Sequence, residues 1–139
     1  MTKILIAVDG SKASVNALDY VANRKRQGEA IEVLLLNVQP LILPHGRMVT
    51  RRMIEEYQTQ ESEKVFTRAG LKARKRYLGA DEYVETGDPA ECIINFARKS
   101  KCDEIVMGSR GLNRMKGLLL GSVVTKVVQL SETPVVVVK

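Results

Sequence analysis

The sequence contains no tryptophan, one histidine, two cysteines and only 4% aromatic residues. Each shortage closes off a class of function. The single histidine, His45, sits in a loop with Pro44 and Gly46 and has no nucleophile pattern around it, so a solvent-exposed side chain is expected. Without a second histidine, a GxSxG elbow or a paired carboxylate, no catalytic constellation can be assembled. Cys92 and Cys102 are ten residues apart with no CxxC and no neighbouring histidine, which fits neither zinc spacing nor a disulfide framework. They read as reduced thiols. No apolar run reaches the roughly 18 residues of a membrane span, and the apolar stretch of MTKILIAVDG is too short for a secretory signal, so a cytoplasmic location and no membrane partner are expected.

What is present is one domain's worth of apolar sequence. The 139 residues are 45% hydrophobic, and no linker, repeat or low-complexity segment divides them, so a single domain over 1–139 is expected. The net charge is +6, and residues 47 to 79 hold most of the excess, with nine Lys/Arg against four Glu. A basic segment of this kind could face nucleic acid, but there is no aromatic interleaving and no nucleic-acid motif. A solvated helix face is the expected reading, and a nucleic-acid partner is not.

KILIAV is a continuous apolar run ending at Asp9-Gly10-Ser11, after which Val15, Leu18, Val21 and Ala22 recur at helical spacing up to Gly28. IEVLLLNV, residues 31 to 38, reads as a second buried strand stopped by Pro40. Both runs predict strands covered on two faces, as in a parallel sheet. One long helix is predicted from about Thr50 to Leu78, with Ile54, Tyr57, Val65, Ala69 and Ala73 on a rough stripe that the polar QTQESE interrupts. DEYVET is the next strand, and Asp88-Pro89 opens a helix with Asp88 as N-cap, Pro89 at N1 and Glu91 at N3. Strand DEIVMG, a helix from about Ser122 to Leu130, and a final strand VVVV complete the chain. Five strands alternating with four helices predict a doubly wound α/β sandwich, because right-handed crossovers place helices on both faces of a parallel sheet.

In such sheets ligands bind beyond the carboxyl ends of the strands, where strand order reverses. The first strand ends in Asp9-Gly10-Ser11 and the fourth in Gly108-Ser109-Arg110-Gly111, so the two loops share a crevice if those strands are neighbours. Neither the Walker A pattern nor GxGxxG occurs, which argues against a P-loop NTPase and the usual dinucleotide fingerprint. Gly108 and Gly111 are expected to permit positive φ and close approach of backbone N–H groups to an anion. Gly121-Ser122 places a hydroxyl and unpaired N–H groups at the positive end of a helix dipole, with Arg110, Arg114 and Lys116 adding counter-charge. Taken singly, each piece is also an ordinary turn or cap, with Ser122 as an N-cap and Asp9 as a cap before Gly-Ser.

The combination resembles the universal stress protein family along the whole chain. KILIAVDGS is similar to that family's first strand and loop, GDPAECII to its third helix start, and MGSRG followed by GSV to its nucleotide loop. Gly108-x2-Gly111-x9-Gly121-Ser122 matches the spacing of the ATP-binding branch. The resemblance implies a Rossmann-like sandwich of the adenine-nucleotide alpha-hydrolase type. It implies that Ala7, Val8 and Asp9 lie against adenosine and ribose, with Asp9 alternatively reaching a metal through water. Val38 would offer its backbone to the adenine edge, Met107 would line the crevice, Gly108, Ser109, Arg110 and Gly111 would wrap the phosphates, and Gly121, Ser122 and Val123 would close on them. For Val38 and Met107 ordinary core burial is the alternative. Mg²⁺ is implied by the triphosphate, and a homodimer is implied through the strand Val135 to Val138, for which an interior or loop-covered strand is the alternative.

Three functions follow as expectations. The first is a cytoplasmic ATP-binding module whose nucleotide state changes its shape or partners in a stress response. The second is a slow ATP hydrolase or phosphoryl or nucleotidyl transferase, since phosphoryl transfer depends mainly on positioning and charge stabilisation. The third is a basic interaction protein acting through residues 47 to 79.

Overall fold

The computed structural model describes residues 1–111 and 120–139, apart from the side chain of Ala69. The elements run β1 Thr2–Ala7, α1 Lys12–Arg26, β2 Ile31–Gln39, α2 Arg51–Thr67, α3 Ala69–Leu78, β3 Asp81–Thr86, α4 Pro89–Lys99, β4 Glu104–Gly108, α5 Ser122–Leu130 and β5 Val135–Val138. The strands form one five-stranded sheet in the order β3-β2-β1-β4-β5, every pair parallel. Among the described residues no helix is long and apolar enough to cross a membrane.

The continuous apolar runs of β1, β2 and β4 are explained by burial on both sides. Alternate residues point to opposite faces. Ile4, Ile6, Val33, Leu35 and Val106 face α1, α2 and α3, together with Leu18, Phe66 and Leu71. Leu5, Leu34, Leu36, Ile105 and Met107 face α4 and α5, together with Ile93, Val124 and Val127. β3 lies at one edge with all six residues exposed, and β5 lies at the other with all four valines half-buried.

Among the described residues the helix count is five rather than four. The long helix expected over residues 50 to 78 breaks at Arg68, whose backbone is extended at φ −54°, ψ 139°. Length is the physical reason. A straight helix of that span would be about 40 Å long, whereas a nine-residue strand such as β2 covers about 30 Å. The break turns the chain back so that α3 lays Leu71 and Leu78 into the core beside α1. It is anchored by the Arg68 guanidinium, which donates to the Gly10 carbonyl. The α2 stripe also differs from expectation: Ile54, Gln58, Ser62 and Phe66 are buried at every fourth residue, and Tyr57 is 53% exposed. The segment that reads as a polar interruption is therefore part of the buried stripe.

Most of the basic segment's charge is held within the molecule. Arg52 pairs with Glu56, Lys64 with Glu61, Arg74 with Asp19 and Lys75 with Glu82, while Arg68 is held by Gly10. Exposed pairs of this kind contribute little to stability, but they disperse the field of the segment.

If α3 docks as a separate unit after the break, truncating its fully buried anchor should be costly. Leu71→Ala is expected to lower unfolding free energy by about 2–5 kcal/mol, read as a fall in the urea midpoint at unchanged m-value. A change below about 0.5 kcal/mol would contradict that packing.

Candidate functional site

Strand order reverses between β1 and β4, which are neighbours in the sheet. Beyond their carboxyl ends lies a cleft of about 550 Å³, lined on one side by residues of α4 and α5. Its volume lies within the range typical of small-molecule sites.

The loop after β1 is built around Asp9. Asp9 Oδ1 accepts from the Ser11 N–H at 2.9 Å and from Ser14 Oγ at 2.7 Å, and the Asp9 N–H donates back to Ser14 Oγ at 3.0 Å. The α1 N-cap is Ser11, whose hydroxyl accepts from the Ser14 N–H at 3.2 Å, so of the helix or turn cap considered for Asp9 the helix cap falls to Ser11, while the bond from the Ser11 N–H makes Asp9 the cap of the turn before it. Ser14 was not singled out from the sequence, because nothing in its spacing shows that the first turn of α1 folds back onto Asp9.

The positive φ expected of the β4-loop glycines is not found. Neither Gly108 nor Gly111 is among the positive-φ residues. Their need is steric: a Cβ at Gly108 would lie 2.4 Å from Ala13 Cβ and 2.6 Å from the Ala13 carbonyl carbon, and one at Gly111 would lie 2.7 Å from Asp9 Oδ2. Positive φ occurs instead at Gly10, at +84°. At Gly121 a Cβ would find nothing nearer than 3.6 Å.

Ser109 is the joint of the site rather than part of its lining. Its N–H donates to the Val138 carbonyl at 2.7 Å, and its carbonyl accepts from the Gly121 N–H at 2.8 Å, tying β5 and the start of α5 to the β4 loop. The α5 N-cap is Gly121, not Ser122, and among the described residues no side chain caps that helix. Its first N–H groups therefore open on the cleft at the positive end of the helix dipole. The facing end of α4 is capped by Asp88, whose carboxylate accepts from the Glu91 N–H at 3.0 Å and from Lys126 Nζ of α5 at 3.1 Å. The Glu91 N–H and then Lys126 hold that carboxyl below its ordinary range.

Along β2, backbone polar groups alternate between neighbours. The Leu36 carbonyl accepts from the Val8 N–H at 2.9 Å, on the β1 side, and the Gln39 carbonyl from the Gly87 N–H at 3.0 Å, on the β3 side. Val38 shares the orientation of Leu36, so its N–H and C=O point past the end of β1 into the cleft.

All the residues anticipated from the sequence line this one cleft except Ser109: Ala7, Val8, Asp9, Val38, Met107, Gly108, Arg110, Gly111, Gly121, Ser122 and Val123. Leu36, Pro40, Pro89, Ile93 and Val124 complete an apolar wall that local motifs did not reveal. Arg114 and Lys116 lie outside the described residues. Among the described residues, Asp9 is the one carboxylate and Arg110 the one cation of the lining. His45 is exposed, away from the lining. The two thiols are pushed up, chiefly by burial, the opposite of an activated cysteine.

The family model described as the Universal stress protein family matches residues 1–139. The chain belongs to the universal stress protein family. Among relatives, Universal stress protein YxiE of Bacillus subtilis is 32% identical over 145 residues, covering 99% of this chain and 98% of that protein. The solved structure of MJ0577, from Methanocaldococcus jannaschii, aligns at 32% identity and a TM-score of 0.74 over 99% of this chain and 95% of that one. A family member from Arabidopsis thaliana solved with AMP bound shares the fold at 20% identity and a TM-score of 0.69, over 100% of this chain and 92% of that one. Members solved in complex with cAMP and with dAMP share it at 21% identity, with TM-scores of 0.69 and 0.59.

The steric account separates two glycines of one motif. Gly108→Ala is expected to cost about 1–3 kcal/mol of stability or more, since the Ala13 backbone cannot yield without moving α1, whereas Gly121→Ala should cost under about 1 kcal/mol. Parallel denaturant melts that gave equal losses for the two variants would contradict it.

Proposed function

We propose that this universal stress protein is a single-domain, cytoplasmic ATP-binding module that works in a stress response through its nucleotide state. The observation that carries this reading is the convergence, on one cleft, of an apolar wall, an inward N–H and C=O pair at Val38, and the uncapped start of α5. An adenine ring suits the wall between Met107, Val38 and Ile93, its edge meeting the Val38 backbone. The phosphates suit the space between Gly108 to Gly111 and the N–H groups of Ser122 and Val123, where oriented backbone dipoles favour an anion. Arg110 supplies counter-charge. The adenine nucleotides bound by the AMP, cAMP and dAMP relatives support the ligand class, and the motif spacing supports the triphosphate.

Mg²⁺ fits the donor set in a limited way. Among the described residues no group of three His, Cys, Asp or Glu side chains forms a metal site, and Mg²⁺ in nucleotide sites takes one or two carboxylates plus phosphate oxygens and water. Asp9 would be that carboxylate, through water. The ion would neutralise phosphate charge.

Purified protein is expected to carry an adenine nucleotide that mass spectrometry detects after denaturation. Added ATP should raise the melting temperature, with both effects lost in Gly121→Val, whose branched side chain enters the phosphate space. Absence of bound nucleotide together with an unchanged melting temperature would refute the reading.

A homodimer through β5 belongs to the same proposal. The Pro134 and Val138 carbonyls bond to β4, so the intervening pattern turns the N–H and C=O groups of Val135 and Val137 outward along the edge. A two-fold pairing of these edges would bury an otherwise sticky valine strand. Light scattering is expected to give twice the 15.5 kDa chain mass. Val137→Pro removes one outward N–H without touching a bond to β4, so it should yield a folded monomer; a dimer in that variant would exclude this interface.

A further inference from the structure

We propose that Asn37, held from behind by Ser62 of α2, is the positioning residue that keeps the Val38 backbone pair open to the base and thereby sets the preference for adenine. The inference rests on the adenine-nucleotide reading of the cleft and goes beyond it by naming what fixes the reading edge.

A parallel ladder continued one step further would direct the Val38 N–H to the Val8 carbonyl. That carbonyl is occupied instead by the side chain of Asn37, whose Nδ2 donates to it at 2.8 Å. The orientation of the carboxamide is not free. Its Oδ1 accepts from Gln39 Nε2 at 2.8 Å and from Ser62 Oγ at 3.0 Å, so with two donors on the oxygen only the nitrogen can face Val8. Asn37 and Ser62 are each 3% exposed. A buried carboxamide in an apolar strand is costly unless it is fully satisfied, and here no buried side-chain polar atom among the described residues lacks a partner.

The α2 stripe is complementary to this arrangement. Its apolar ends, Ile54 and Phe66, flank Gln58 and Ser62, and the polar pair lies over the amide end of β2. Gln58 Nε2 donates to the Pro40 carbonyl at 2.6 Å. Pro40 has no N–H with which to continue the strand. Residues 37 to 40 are thus gripped on one face of the sheet by side chains from α2, while Val38 and Pro40 line the cleft on the other. None of the gripping side chains lines the cleft.

The chemical consequence is base selection. The group at position 6 of the purine is an amino donor in adenine and a carbonyl acceptor in guanine. A Val38 carbonyl fixed toward the cleft accepts from the former and repels the latter. If Asn37 releases Val8, the Val38 N–H can close onto the Val8 carbonyl, and the edge no longer discriminates.

The test is a calorimetric titration of wild type, Asn37→Leu and Ser62→Ala with ATP, GTP and inorganic triphosphate. Asn37→Leu is expected to weaken ATP about tenfold, roughly one hydrogen bond's worth, to bring the ATP-to-GTP ratio close to one, and to leave triphosphate unchanged. Ser62→Ala, which keeps Asn37 but leaves Gln39 as the one remaining donor to its oxygen among the described residues, should lower the same ratio several-fold with triphosphate again unchanged, and it carries the test alone if Asn37→Leu does not fold. An unaltered ATP-to-GTP ratio in the folded variants would overturn the inference, as would a loss of triphosphate binding in step with ATP, which marks general loosening of the site. Failure of the adenine reading itself has a different signature: wild type would then bind ATP no better than GTP or triphosphate, and this inference would fall with it.

Discussion

The first turn of α1 packs against the end of β4 so closely that a methyl group on Gly108 would overlap Ala13. That approach brings two strand ends, distant in sequence, into one site. It sets Ser14 against Asp9 on the β1 side and brings Asp9 Oδ2 up to Gly111 on the β4 side. Ser109 then passes the constraint on by backbone bonds, outward to Val138 and across to Gly121. The start of α5 is consequently tied to the same strand end on which α1 packs. A helix N-terminus can attract an anion only where it is left uncapped and correctly directed; here the uncapped position is Gly121, and the direction comes from Ser109.

A second constraint acts from the opposite face. α2 and the break that ends it are tied to the cleft's backbone at separate points: Gln58 to Pro40, Ser62 through Asn37 to Val8, and Arg68 of the break to Gly10. Each ends on a carbonyl in or next to the cleft wall. A change in the nucleotide that moved Val8, Gly10 or Pro40 would therefore be felt first along α2. Under the proposed function, these ties are the route by which a bound nucleotide would reach an outer surface of the molecule.

Much of the fold is legible in the sequence because it depends on short-range pattern. Continuous apolar runs mark the doubly covered strands, and Asp88-Pro89-x-Glu91 marks the start of α4 where the structure has it. The break at Arg68 is not legible. Arg68 and Ala69 are good helix formers, and what ends the helix is the extent of the sheet and a carbonyl 58 residues away. The same applies to Gln58 and Ser62, which look like a polar gap until the carboxamide of Asn37 is placed beneath them. Of the cleft residues, the Asp9 loop and the glycine segment are legible from strand ends and motif spacing, and Ala7, Val8, Val38 and Met107 only through the family resemblance; the reason for the glycines is not legible. Positive φ is a local property, whereas the overlaps with Ala13 and Asp9 exist only once α1 is packed. Ser14 and the apolar wall of Leu36, Pro89 and Ile93 escape for the same reason, since they are brought together by topology alone.

The central claim, that the cleft between β1 and β4 is an adenine-nucleotide site read by Val38 and the start of α5, is tested most directly by amide chemical-shift mapping during an ATP titration. The account predicts saturable shifts concentrated at Asp9, Val38, Gly108 to Gly111 and Ser122 to Val124, with the exposed basic face of α2 and α3 little changed. Shifts confined to that basic face, or none at saturating ATP, would contradict it.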